Sequence, residues 1–185
     1  MPKNQKGSDP SFCPSKEPFD LNSIFPLIER LTLEWSNDHA NSGVNNSLWK
    51  YEWLAHGTCT KTLNTLNSEY RYFEQALDWH QKYPLFVYLH NYGFNPGFNY
   101  DIWEVFEAIK TGLGGIRPAL DCKTYENFDY PVLSTIGLCF DKKLKLINCQ
   151  PSVYDSGILG NCPKEGMVYY PREEKNFRIV KAFGK

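Results

Sequence analysis

Residues 131–149 read PVLSTIGLCFDKKLKLINC. The runs are short, β-branched or alternating, and broken by turn residues, which is a strand pattern. Two apolar runs flank Asp141-Lys142-Lys143. That predicts a hairpin whose strands carry Cys139 and Cys149 across from each other. Before Gly115 the spacing is different. SEYRYFEQALDWHQKY (68–83) puts Tyr72, Phe73, Ala76, Leu77 and His80 on one helical stripe, with Ser68 as its cap. NYDIWEVFEAIKTGLG (99–114) turns Ile102, Val105, Phe106 and Ile109 inward. DLNSIFPLIERLTLEW (20–35) is spaced the same way, with Asp20 or Asn22 as cap and Pro26 in the first turn or at a break. PLFVYLHNYG (84–93) has Pro84 at a first helical position and stops at Gly93. Helices first and strands later predict an α+β fold, an antiparallel sheet packed against several helices. A chain of 185 residues suits one domain, 1–185, with a sizeable core.

The formal net charge is −1, so no global field favours a nucleic acid or a membrane. A local basic groove would still serve a nucleic-acid enzyme. No apolar run is long enough to span a bilayer, and no membrane partner is expected. Aromatic residues make up 16% of the chain, enough for a ring-rich core or for rings that stack on bases or sugars. The six cysteines are Cys13, Cys59, Cys122, Cys139, Cys149 and Cys162. No CxxC pair or Cys/His cluster has zinc-ligand spacing, so they read as three disulfides formed in an oxidising compartment. Asn45-Asn46-Ser47 is a glycosylation sequon and agrees. The start, MPKNQKGSDPSFC, is not a signal peptide, which predicts that sequence upstream of Met1 is missing; the alternative is a cytosolic protein with six thiols.

LWKYEWLAHGTC (48–59) concentrates the chemistry. It is placed on a short helix from Leu48 to about His56, ended by Gly57. Glu52 and His56 are four apart and share one face. Imidazole transfers protons near neutrality, and a carboxylate beside it favours the charged ring and orients it. A disulfide at Cys59 would hold His56 at a rigid edge. A zincin needs HExxH, which Tyr51 and the Glu52-x-x-x-His56 order do not provide, so no metal site is expected. His39, His80 and His90 read as surface or packing residues.

WKYEWLAHGTC closely resembles the second active-site segment of the T2 ribonucleases, roughly W-x-H-E-W-x-K-H-G-T-C. YFEQALDWHQKYPLFVYLHNYGFNP looks like the next two helices of that family. ALDC, IGLCFD, LINC and NCP are similar to the Cys-rich C-terminal part of its plant secreted members. GSDPSFC looks like the segment after the first active-site motif. The resemblance implies an α+β fold and a secreted or vacuolar acid endoribonuclease, acting as a monomer without metal or other cofactor. Such an enzyme cuts single-stranded RNA through a 2′,3′-cyclic phosphate. It implies the pairs Cys13–Cys59, Cys122–Cys162 and Cys139–Cys149. It makes His56 one of two catalytic histidines and Glu52 its acid partner, with Trp49 and Tyr51 meeting substrate.

The departures from the family pattern set further expectations. Tyr51 stands where the family has a phosphate-binding His, Ala55 where it has a Lys, and Leu48 where an aromatic ring commonly stacks on a base. The first motif, F-T-I-H-G-L-W-P, would lie at or beyond Met1, and with it the second His and one or two strands. The resemblance therefore implies an N-terminally truncated enzyme with impaired turnover. The alternative is a catalytically inactive T2-like paralogue that binds or stores RNA. A lectin-like module must treat the HGTC segment as coincidence.

Overall fold

Asp20 starts the first helical segment because its carboxylate caps it, accepting the Asn22 N–H at 3.0 Å. The segment begins as a 3-10 helix, Leu21–Leu27, and becomes α1, Ile28–Glu34. Pro26 sits in the 3-10 part, where its missing N–H breaks no α-helical ladder. The break anticipated at Pro26 is thus a change of helix type. The computed structural model describes residues 13, 18–35, 46–150, 162–172, 178–179 and 183–184. His39, Asn45 of the sequon, and residues 1–12 and 173–177 lie outside the described residues.

The chain forms two compact units, Met1–Lys82 and Tyr83–Lys185. In the first, α2 (Asn46–Ala55) and α3 (Glu69–Lys82) join α1 around Ile24, Leu27, Leu31, Leu48, Trp49, Trp53, Phe73 and Leu77. The helix α2 starts two residues before the predicted Leu48. Ser68 accepts the Arg71 N–H at 3.3 Å at the start of α3, and Phe73, Ala76 and Leu77 face inward as their spacing requires. His80 departs from the stripe: its side chain is half-exposed and Nδ1 lies 3.2 Å from Glu34 Oε2. Glu69 is buried, accepting the Asp20 N–H at 2.9 Å and the Ser23 hydroxyl, so it ties α3 to the 3-10 helix.

The second unit opens with α4, Leu85–Asn91. Pro84 is its N-cap, not its first helical residue, with ψ at 80°. Gly93, at φ +84°, closes it in the left-handed region. Strand β1 (Phe98–Asp101) runs into α5 (Ile102–Gly112), where Asp101 caps by accepting the N–H groups of Trp103 and Glu104. Ile102, Val105, Phe106 and Ile109 are buried, as predicted. Then come β2 (Ala119–Lys123), β3 (Val132–Gly137), β4 (Cys139–Phe140), β5 (Leu146–Ile147), β6 (Met167–Tyr170), β7 (Arg178–Ile179) and β8 (Phe183–Gly184).

One sheet has the order β1-β6-β3-β2, with β7 also on β3; the other has the order β5-β4-β8. The pairs β1–β6, β2–β3 and β4–β5 are antiparallel. The pairs β3–β6, β3–β7 and β4–β8 are parallel and short, so the sheets are antiparallel-rich, in line with the expected antiparallel sheet. The fold is α+β, stapled by Cys13–Cys59, Cys122–Cys162 and Cys139–Cys149. That pairing is the one the family resemblance implies. Cys149 lies beyond the end of β5, and it is Ile147 that faces Cys139 in register.

Candidate active site

The helix α2 buries Leu48, Trp49 and Trp53 and leaves Tyr51 half-exposed. Its last turn positions the acid and the imidazole. The His56 N–H still donates to the Glu52 carbonyl at 3.0 Å, although His56 itself has left the helix at φ −125°. The two residues therefore stand one turn apart on one face. His56 Nε2 lies 4.0 Å from Glu52 Oε2, with the side chains 30% and 13% exposed. At that distance the pair is an ion pair when the ring is protonated, and the carboxylate is partly shielded from water while the ring meets solvent.

The stretch after His56 fixes it. Gly57–Thr60 is a short 3-10 turn, buried throughout. A Cβ at Gly57 would come 2.1 Å from Trp53 Cε3, so only glycine lets the backbone cross the indole this closely. The Cys59 N–H donates to the His56 carbonyl at 3.1 Å. The Thr58 hydroxyl donates to the Leu54 carbonyl at 3.0 Å, and that of Thr60 lies 2.7 Å from the Gly57 carbonyl and 2.9 Å from that of Leu66. The Cys13–Cys59 bridge closes this frame covalently.

Neighbouring rings and charges complete the surroundings. The Tyr51 and His56 rings meet edge to face at 6.3 Å, with an interplanar angle of 86°. The Tyr72 ring packs against Trp53 at 5.7 Å and Phe73 at 5.2 Å. Burial and, after it, the negative charge of Glu52 hold the Tyr72 phenol well above its ordinary range, so it stays neutral. Lys61 Nζ lies 6.0 Å from the Trp53 ring centroid. Among the described residues, no group of three or more His, Cys, Asp or Glu is placed to hold a metal ion.

The structure thus gathers Glu52, His56, Tyr51 and the Cys59 anchor. It does not present Trp49 to a substrate. Trp49 is 2% exposed, lies in the core and donates its indole N–H to the Trp35 carbonyl at 2.9 Å. Tyr72 was legible only as a stripe residue. Its place in the field of Glu52 depends on α2 packing against α3, which no local sequence signal records. His80 and His90 stay outside the group: His80 meets Glu34, and His90 Nδ1 lies 3.2 Å from Asn95 Oδ1.

A family model described as the Ribonuclease T2 family matches residues 1–149. Ribonuclease Oy of Magallana gigas is 31% identical over 170 residues, covering 90% of this chain and 78% of its own. Extracellular ribonuclease LE of Solanum lycopersicum is 30% identical over 150 residues, covering 80% of this chain and 64% of its own. The chain spans between about half and about three quarters of the length of the curated relatives it matches. The crystal structure of RNase NT in complex with 5′-AMP superposes with a TM-score of 0.71 at 26% identity, covering 89% of this chain and 76% of that one.

Proposed function

The chain belongs to the ribonuclease T2 family, and from that premise we propose that it acts on single-stranded RNA as an endoribonuclease with His56 in acid–base chemistry. The observation that carries this is the Glu52–His56 pair, 4.0 Å apart at an anchored helix end. Cleavage requires the ribose 2′-OH to lose a proton as it attacks phosphorus and the 5′-oxygen to gain one as it leaves, which gives a 2′,3′-cyclic phosphate. His56 serves one of those transfers. Glu52 holds the ring and stabilises its protonated form, and it steadies the phosphorane-like state. Tyr51, half-exposed beside the ring, offers its hydroxyl to the phosphate. Neither metal nor cofactor enters this scheme, and the chain works as a monomer.

Turnover is reduced relative to the family pattern. Ala55 and Leu48 are 0% and 7% exposed, so neither position gives a charge or a ring to the substrate. The same two residues favour the second reading, a T2-like protein that binds or stores RNA without cutting it. The three bridges, and the likeness to the extracellular ribonuclease LE of Solanum lycopersicum, support secretion to an oxidising space, extracellular or vacuolar. The test is cleavage of single-stranded RNA at mildly acidic pH by this chain and by H56A. Cyclic-phosphate ends that vanish in H56A support the enzyme. RNA binding with no His56-dependent cleavage establishes the second reading instead.

A further inference from the structure

The turn between β4 and β5, residues 141–145, carries Lys142, Lys143 and Lys145, all exposed. It is rigid. Asp141 Oδ1 accepts the N–H groups of Lys143 at 2.8 Å and Lys145 at 2.9 Å. The Asp141 N–H donates to the Lys145 carbonyl, and the Leu144 N–H to that of Asp141, each at 2.9 Å. Leu144 is held at φ +61°, a left-handed conformation that a leucine adopts only under constraint. The Cys139–Cys149 bridge closes the base of the loop. Arg117 is fastened to that base, its N–H donating to Asn148 Oδ1 at 2.8 Å and its carbonyl accepting the Cys149 N–H at 3.0 Å.

The acid in this loop faces its own backbone, and among the described residues no ion pair engages the three lysines. Three ammonium groups are therefore displayed on a frame that already bears the cost of ordering. The chain has 20 basic and 21 acidic residues, and without these lysines 17 would face 21, a net charge of −4. The remainder carries a net negative charge, so this turn supplies a local concentration of positive charge that the chain as a whole lacks. Leu144 is only partly exposed, and the tip has no protruding apolar side chain to enter a bilayer.

We propose that this stapled hairpin is a docking point for the phosphate backbone of single-stranded RNA, in addition to the Glu52–His56 pair. The choice of RNA as the polyanion rests on the ribonuclease reading above. Binding here is independent of base sequence, because ammonium groups meet phosphates and not base edges.

The test compares the parent chain with K142Q/K143Q/K145Q and K142R/K143R/K145R, titrated with a single-stranded 2′-O-methyl oligoribonucleotide, whose blocked hydroxyl prevents cleavage. Association constants are measured over a range of NaCl concentrations. Each lost phosphate contact lowers the log–log salt slope by about 0.7, so the glutamine variant is expected to lose about 2 from the slope. The arginine variant keeps the parental slope. Equal slopes for parent and glutamine variant overturn the proposal, as does a loss in the arginine variant as large as in the glutamine one. Parental binding to phosphatidylserine vesicles that is tighter than to the oligonucleotide also overturns it. A chain that shows the slope change but never cleaves RNA refutes the ribonuclease reading and leaves the docking site standing. A chain that cleaves but shows no slope change does the reverse.

Discussion

His56→Ala is expected to lower RNA cleavage by about 10²–10⁴, the range of a lost proton-transfer group. The side chain is 30% exposed, so thermal unfolding should stay close to that of the parent. Comparing cleavage rates and melting curves of the two chains checks both halves of that expectation. Tyr72 gives a separate prediction, in alkali. Its phenol is raised above the ordinary value of 10.0 by burial and then by Glu52. The folded state therefore holds this proton where the unfolded chain releases it. The stabilisation is complete below about pH 10 and is lost as the pH rises beyond it, at up to about 1.4 kcal/mol per pH unit. Tyr72→Phe should accordingly flatten the alkaline limb of a stability-against-pH curve measured in denaturant. Glu52 and His56 were legible in the sequence because four positions on a helix make one face. The opposite fates of Trp49 and Tyr51 were not. Two aromatic residues two positions apart differ only in which one meets the core, and Leu27, Leu31 and Phe73 decide that from other parts of the chain.

The 3-10 turn after His56 is held from outside by Cys13, 46 residues away in sequence. Removing this bridge in C13S/C59S should destabilise the fold by about 4 kcal/mol on the loop-entropy scale. Chemical denaturation under non-reducing conditions measures it. At α5, Asp101→Ala deletes a carboxylate that accepts two backbone N–H groups and should cost about 1 kcal/mol, read from the same kind of curve. Helix α5 was legible from its stripe and α3 from its cap and stripe. Strand β1 was not, because Phe98–Asp101 runs directly into the helix and its short alternation of rings merges with the stripe that follows. The change of helix type at Pro26 was half-legible: proline announces a break but not which helix lies on either side of it.

Across the whole chain, all six cysteines are paired. Alkylation of the unfolded, unreduced protein should modify none of them, and mass spectrometry after proteolysis should return the three bridged peptides. The α+β class was legible because helical and strand periods occupy successive stretches. Strand direction was not, since β3 pairs in parallel with β6 and β7 from far downstream, and among the described residues only the two hairpin-like pairs, β2–β3 and β4–β5, join neighbours in sequence. Cysteine spacing gave the number of bridges but left the partners open, and the family resemblance supplied them.

The contact of Gly57 with Trp53 also has a genetic reading. Every missense change at codon 57 adds at least one carbon, and the first added carbon already falls 2.1 Å from the indole. No single-step neighbour in the genetic code is smaller than glycine, so mutation offers no gradual route away from it. Gly93 differs: a Cβ there meets nothing within 4 Å, and only its positive φ resists substitution. In a library of all single substitutions selected for folding, position 57 should therefore be empty, while position 93 should still admit asparagine.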